Sequence, residues 1–344
     1  MNVLVTGGLG FIGSNLIRLI RAERPSWRVV NLDLVTYAAN PENLAGVEEG
    51  ERYRFVRGDV ADRRLVVDLF RDERFDAVIH CAAETHVDRS ITDGGRFLRT
   101  NVEGTLVLLE AALEAGGVRH LQMGTDEVYG TLAPDDPSFT EETPLAPRSP
   151  YSASKAAADQ MALAFHHTHG LDVVVTRCSN NYGPYQNPEK LIPLMITSAL
   201  RSLPLPVYGD GRQRRDWIHV TDHCRGVLHA LEAGRAGEVY NLGGAAERNN
   251  LDVVRQVVSL VGADEALITF VADRPGHDRR YSVSFEKAER ELGWQPRRTF
   301  EEGLRETVAW YRENRGWWSG SAAQAYEESR ERIAGWAERE KQPR

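Results

Sequence analysis

The stretch Val3-Leu4-Val5-Thr6-Gly7-Gly8-Leu9-Gly10-Phe11-Ile12-Gly13 decides the fold. A short apolar run ends in glycines, and helical periodicity begins near Phe11. Gly7, Gly10 and Gly13 form G-x-x-G-x-x-G between that strand and that helix. The first glycine permits a tight turn, the second lets the backbone approach a pyrophosphate, and the third lets helix and strand pack closely. The helix start offers free N–H groups and a positive dipole end to phosphate oxygens. Asp33 stands 20 residues after Gly13 and ends a second apolar run, Val29-Val30-Asn31-Leu32-Asp33. A carboxylate there can accept both ribose hydroxyls and repel a 2′-phosphate, so the expected cofactor is NAD.

Further apolar runs follow at Tyr53 to Val56, Ala77 to Ile79, Leu121 to Met123 and Val173 to Val175, with helical patterns between them. Such alternation predicts an α/β fold, a Rossmann-like doubly wound parallel sheet. Ligands of such sheets bind beyond the carboxyl ends of the strands. That rule directs attention to Asp59 and Val60 after the third run and to Ala82 and Ala83 after the fourth. Beyond residue 180 the prolines at 184, 188, 193, 204 and 206 break the pattern. The expected division is an NAD-binding domain over 1–180, a smaller C-terminal α/β substrate-binding domain over 181–318, and a charged helical tail over 319–344. That tail suits surface packing or an oligomer contact.

The 344 residues carry a formal net charge of -8, which speaks against nucleic acid as partner. Cys81, Cys178 and Cys224 are far apart and odd in number, as free thiols in a reducing compartment would be. No apolar stretch reaches transmembrane length and no leader opens the chain, so no membrane partner and a cytoplasmic location are expected. His166, His167 and His169 end an amphipathic helix, where histidine suits the dipole. No carboxylate is spaced with them for a metal site, and none is expected.

Tyr151-Ser152-Ala153-Ser154-Lys155 gives Tyr-x-x-x-Lys. Four residues apart on a helix is one face. A lysine ammonium beside a phenol lowers the phenol pKa, so Tyr151 could take a proton from a sugar hydroxyl as carbon gives hydride to NAD, while Lys155 holds the nicotinamide ribose. Thr125, at the end of the fifth run, could hydrogen-bond the same oxygen. Asp126 and Glu127 follow it. In a covered pocket their like charges raise one pKa, so one can act as acid and the other as base.

Glycine turn, strand-end hydroxyl and Tyr-x-x-x-Lys in this order resemble the extended short-chain dehydrogenase/reductase family, over nearly the whole chain to about Trp318. Ala82 to Ser90, Thr125 to Gly130, Asn180 to Tyr185, Glu189 to Pro193 and Asp273 to Asp278 resemble its nucleotide-sugar 4,6-dehydratases. The implied substrate is dTDP-glucose, with UDP-glucose the alternative, since thymine and uracil differ by one methyl. The implied chemistry oxidises C4 to a ketone that acidifies C5–H. Glu127 would take that proton, Asp126 would protonate the departing C6 hydroxyl, and hydride would return to C6.

By resemblance, Phe11, Ile12, Asp33, Leu34, Val35, Thr36, Asp59, Val60, Ala82, Ala83, Glu84, Thr85, His86, Thr100 and Asn181 contact NAD, and His86 and Thr125 contact the hexose. Asn180, Lys190, Leu191, Pro206, Val207, Tyr208, Arg215, Asn250, Asp273, Arg274, Pro275, Gly276 and His277 hold the nucleotide diphosphate. Spacing alone reads Asn250 equally well as a helix N-cap. Thr85 and Gly124 stand where serine is usual. The resemblance also implies a homodimer through the helices near Thr105 and Lys155. A 4-epimerase or decarboxylase would not need Asp126 and Glu127, and an NAD-sensing scaffold would not need the Tyr/Lys pair.

Overall fold

Val3 to Val5, Val29, Val30 and Val173 to Val175 are buried on both sides of one sheet, the setting in which parallel strands are stable. The computed structural model describes residues 1–273 and 277–340, the side chains of 336–340 excepted. Its strands in chain order are β1 (Asn2–Thr6), β2 (Arg28–Asp33), β3 (Tyr53–Arg57), β4 (Ala77–His80), β5 (Arg119–Thr125), β6 (Val173–Cys178), β7 (Asn180–Tyr182), β8 (Leu205–Tyr208), β9 (Arg214–His219), β10 (Val239–Leu242), β11 (Glu247–Asn249) and β12 (Ile268–Val271). Its helices are α1 (Phe11–Glu23), α2 (Arg63–Glu73), α3 (Val87–Thr92), α4 (Gly94–Phe97), α5 (Gly104–Glu114), α6 (Pro150–His169), α7 (Leu191–Ala199), α8 (Val220–Ala233), α9 (Asn250–Val261), α10 (Glu286–Leu292), α11 (Phe300–Glu313) and α12 (Arg315–Glu340).

Seven strands form one parallel sheet in the order β10-β6-β5-β4-β1-β2-β3. Helices α1, α8 and α10 build the core on one face, and α2, α5 and α6 the core on the other. The strand order reverses between β1 and β4, so the crevice lies beyond Thr6 and His80. A second unit holds the three-stranded β11-β9-β7 sheet and the β12-β8 pair around α7, α9, α11 and α12.

The chain does not divide cleanly at residue 180. Strand β10 pairs with β6 at the edge of the large sheet, and α8 and α10 pack on that layer. A four-residue strand carries too little period to announce its sheet. The tail is also more than a surface element. Trp318, Ala322 and Tyr326 bury one face of α12 in the second core, and Glu328 and Arg332 reach Arg89 at 3.1 Å and Asp88 at 3.8 Å on α3. Among the described residues, no helix is long and apolar enough to cross a membrane.

Candidate functional site

Gly7 turns the chain at φ +69°, and a Cβ there would meet Ala82 backbone at 2.7 Å. A Cβ on Gly13 would overlap the Gly7 carbonyl oxygen. The two glycines thus let β1, the turn and α1 close on the end of β4. Gly10 caps α1 without any side-chain hydrogen bond, which leaves the first-turn amides and the positive dipole end for an anion. Asp33 is fixed at the lip. Its Oδ2 accepts the Leu9 amide at 2.9 Å and its Oδ1 the Val35 amide at 2.8 Å. Burial raises its carboxyl pKa, and the two amides oppose that. An uncapped helix start, a cradle that any Cβ would fill and a fixed carboxylate at the second strand end suit a dinucleotide.

The catalytic candidates lie across the same pocket. Ser149 and Ser152 form a reciprocal capping box around Pro150 at the start of α6, and Gly170 ends the helix in the left-handed region. That cap sets Tyr151 and Lys155 in the first turns, facing β5. Thr125 ends β5 and caps a 3-10 turn over Asp126–Tyr129, its Oγ1 accepting the Glu127 amide at 3.3 Å. The Thr125 hydroxyl donates to Asp126 Oδ1 at 3.3 Å and lines the same pocket as the Tyr151 phenol.

Asp126 is buried. Desolvation first, then Glu127 and Asp216, push its carboxyl well above the ordinary range, against Arg215. Its environment thus favours the neutral carboxyl more than that of half-buried Glu127 beside it does. The expected lowering of Tyr151 is not found. Burial and the Glu127 carboxylate push the phenol well above its ordinary value. The Lys155 ammonium donates to the Met123 carbonyl at 2.5 Å.

The pocket brings together Gly7, Gly10, Phe11, Ile12, Gly13, Asp33, Leu34, Thr36, Asp59, Val60, Ala82 to Thr85, Thr100, Thr125 to Glu127, Tyr151, Lys155, Asn180, Asn181 and Lys190. Val35 stays outside it, at φ +61° with its amide turned to Asp33. His86 is buried behind the wall, 3.5 Å from Glu189. Leu191 opens α7 just past the pocket.

The remaining candidates gather in a second group rather than in the pocket. His277 Nδ1 lies 2.6 Å from Asp273 Oδ1, Gln213 donates to Asp273 at 2.9 Å, and the Tyr208 ring faces His277. Pro206 and Val207 lie on β8. Arg215 lies over the Tyr281 ring and donates to the Asp278 carbonyl at 2.9 Å. Asn250 is the first residue of α9, not its cap, and Asn249 takes the cap position. The Asn250 amide instead donates to Gln213, which joins α9 to this group. Arg274, Pro275 and Gly276 lie outside the described residues. Arg215 acts on Asp126, and Glu127 on Tyr281, so the second group adjoins the acidic end of the pocket.

Sequence reasoning missed Cys178, Ser179, Gln186, Asn187 and Glu189, which also line the pocket. Cys178 ends β6 and Ser179 follows it, so the strand-end rule could have found both. The last three sit in an irregular segment that carries no such signal.

Residues 4–307 match the family model described as GDP-mannose 4,6 dehydratase. A dTDP-glucose 4,6-dehydratase from Actinoplanes sp. is 53% identical over 324 residues, 93% of this chain and 100% of that protein. The dTDP-glucose 4,6-dehydratase of Streptomyces venezuelae, solved with NAD and a TDP ligand, has TM-score 0.89 and 52% identity over 92% of this chain and 99% of its own. The UDP-glucose 4-epimerase of Thermotoga maritima has TM-score 0.85 and 29% identity over 91% and 99%. Dehydratase and epimerase thus share the backbone, and side chains must tell them apart.

Proposed function

The chain belongs to the GDP-mannose 4,6-dehydratase family, and from that premise we propose that it converts dTDP-glucose into its 4-keto-6-deoxy derivative and water, as an NAD-dependent hydro-lyase. One observation carries the reading. A buried acid, Asp126, and a half-buried carboxylate, Glu127, stand in the same pocket as Thr125, Tyr151 and Lys155. A C4 epimerisation needs only the last three.

Bound NAD supplies a hydride acceptor for C4, a donor for C6 and a positive ring beside the Tyr151 phenol. Tyr151 would take the C4 hydroxyl proton as phenolate, a form that burial and Glu127 oppose and that the Lys155 ammonium and the positive ring of bound NAD would favour, and Thr125 hydrogen-bonds the same oxygen. The C4 ketone acidifies C5–H. Glu127 removes that proton, Asp126, whose carboxyl burial pushes well above its ordinary range, protonates the departing C6 hydroxyl, and the C5 proton is replaced from solvent when C6 is reduced. Asn180, Lys190, Leu191, Pro206 to Tyr208, Arg215, Asn250, Asp273 and His277 hold the nucleotide diphosphate, Arg215 by a fork suited to phosphate oxygens. In deuterated water, dTDP-glucose gives a product lighter by one water with deuterium at C5; an epimer of unchanged mass would overturn the reading.

The protein is a homodimer through α5 and α6. Leu98 is 58% exposed beside them, and Ala153, Ala157 and Ala164 give α6 an outer face of small apolar residues. A single species of 38.5 kDa in sedimentation would refute the dimer. A cytoplasmic location suits the three unpaired cysteines.

A further inference from the structure

Lys155 raises a question that the reaction above leaves open. Its ammonium is buried, and burial of a cation favours proton loss. Tyr151, Lys155 and Asp159 recur at four-residue steps on α6, so the three share one face of the helix. All three are buried, and Asp159 is completely so.

Asp159 is held by Arg177, which is itself braced from two further segments. Arg177 Nε on β6 donates to Asp159 Oδ2 at 2.9 Å. Arg177 also donates to the Tyr129 hydroxyl at 2.9 Å, and that hydroxyl donates to Asn241 Oδ1 on β10 at 2.9 Å. The second oxygen, Oδ1, is buried with no hydrogen-bond partner among the described residues. The carboxylate lies against the end of β5. A Cβ on Gly124 would come within 2.8 and 2.9 Å of its two oxygens. Gly124 is the residue before Thr125, so the absence of a side chain there gives the carboxylate its place beneath the catalytic strand end.

We infer that Asp159 is a positioning residue for the reaction: a buried counter-charge, on the same helix face and one turn behind Lys155, that favours the ammonium form of the lysine. The groups that face Lys155 support this one by one. Cys81 on β4 and Cys178 on β6 are thiols pushed up to about 12 by burial, so neither carries charge at neutral pH. Burial drives His80 on β4 well below its ordinary value, so it is neutral too. Tyr151 is a phenol. The Lys155 ammonium itself donates to the Met123 carbonyl, and Asp159 is the remaining acid on this helix face, ion-paired with Arg177 at 2.9 Å. Burial raises its own pKa, and Arg177 and then Lys155 oppose that.

The inference rests on Lys155 serving the redox site. Its test is therefore the first step alone, which does not use Asp126. Pre-steady-state formation of reduced cofactor from dTDP-glucose is followed across pH in the whole enzyme and in Asp159→Asn. Without the carboxylate, Lys155 loses its proton at lower pH. The basic limb then moves down by roughly one unit or more, while the rate below the limb stays within a few-fold. A rate lowered equally at every pH, with the limb in place, overturns the inference. Asn leaves Arg177 buried opposite a neutral group, so Asp159→Asn with Arg177→Gln repeats the test on a neutral pair. The double substitution removes both charges of the Arg177–Asp159 pair, and a displacement in the same direction is expected. An unmoved limb with dehydration intact removes Asp159 from the reaction and leaves the proposed reaction standing. A product of unchanged mass would instead remove the reaction.

Discussion

Replacing Asp126 by Asn separates the two halves of the reaction and reads the buried acid in two independent ways. The substitution keeps the shape and removes the proton donor. One positioned general acid contributes about 10²–10⁴-fold, or about 3–5 kcal/mol of barrier, so dehydration should slow by that factor. Thr125, Tyr151 and Lys155 remain, so oxidation at C4 continues and reduced cofactor accumulates. Stopped-flow absorbance of the reduced cofactor and the mass of the product read the two steps apart.

The second readout is stability. The Asp126 carboxyl titrates well above its ordinary 3.8 in the folded protein, chiefly through burial. As pH rises past 3.8, the unfolded chain releases this proton first, and folding must take it back. The contribution of this group to stability therefore declines from pH 3.8 up to the folded value. Asn escapes that decline. The melting temperature of Asp126→Asn relative to the parent should therefore improve from pH 4 to pH 8. Dehydration at the parent rate, or a relative melting temperature that worsens as pH rises, would refute the assignment.

Glu127→Gln should stop elimination while NAD stays bound, seen as cofactor that co-purifies with a protein making no dehydrated product; parent-level turnover removes Glu127 as the base. Gly13→Ala should weaken NAD binding by at least tenfold in titration calorimetry, because the methyl overlaps the Gly7 carbonyl on which the cradle is built; unchanged affinity would deny the cradle. Buried His120 and His219 are pushed down to about 4 and His223 to about 3. The unfolded chain takes up these protons from pH 6.5 downward and the folded chain does not, so stability falls by up to about 1.4 kcal/mol per pH unit for each. A melting temperature that stays level from pH 6.5 to 4.5 contradicts this.

The dinucleotide half of the site was readable because its signals are local. Gly7, Gly10 and Gly13 answer to the backbone around them, and Asp33 to the end of its own strand. Tyr151 and Lys155 share a helix face by spacing alone. Asp126 and Glu127 were readable as a pair, but their unequal burial, a tertiary property, was not. The same cause defeated the expected Tyr151 shift, since phenol burial and the Glu127 charge outweigh an ammonium bound to the Met123 carbonyl. The second group came only through resemblance, because Tyr208, Arg215, Asn250 and His277 converge from separate elements. Strand β10 was illegible for want of length. The α12 contact with α3 was illegible because Glu328 and Arg332 look like any solvated charges until Arg89 and Asp88 lie opposite them. Gly124, a departure from the usual serine, gained its reason only when Asp159 was found against it.

The account stands on borrowed hydride, and a label at the sugar tests it directly. dTDP-glucose carrying deuterium at C4 is turned over to completion, and the product is read by mass and by NMR. The account predicts a 4-keto product that has kept the deuterium and carries it at C6. Deuterium lost to solvent, or still at C4, contradicts it.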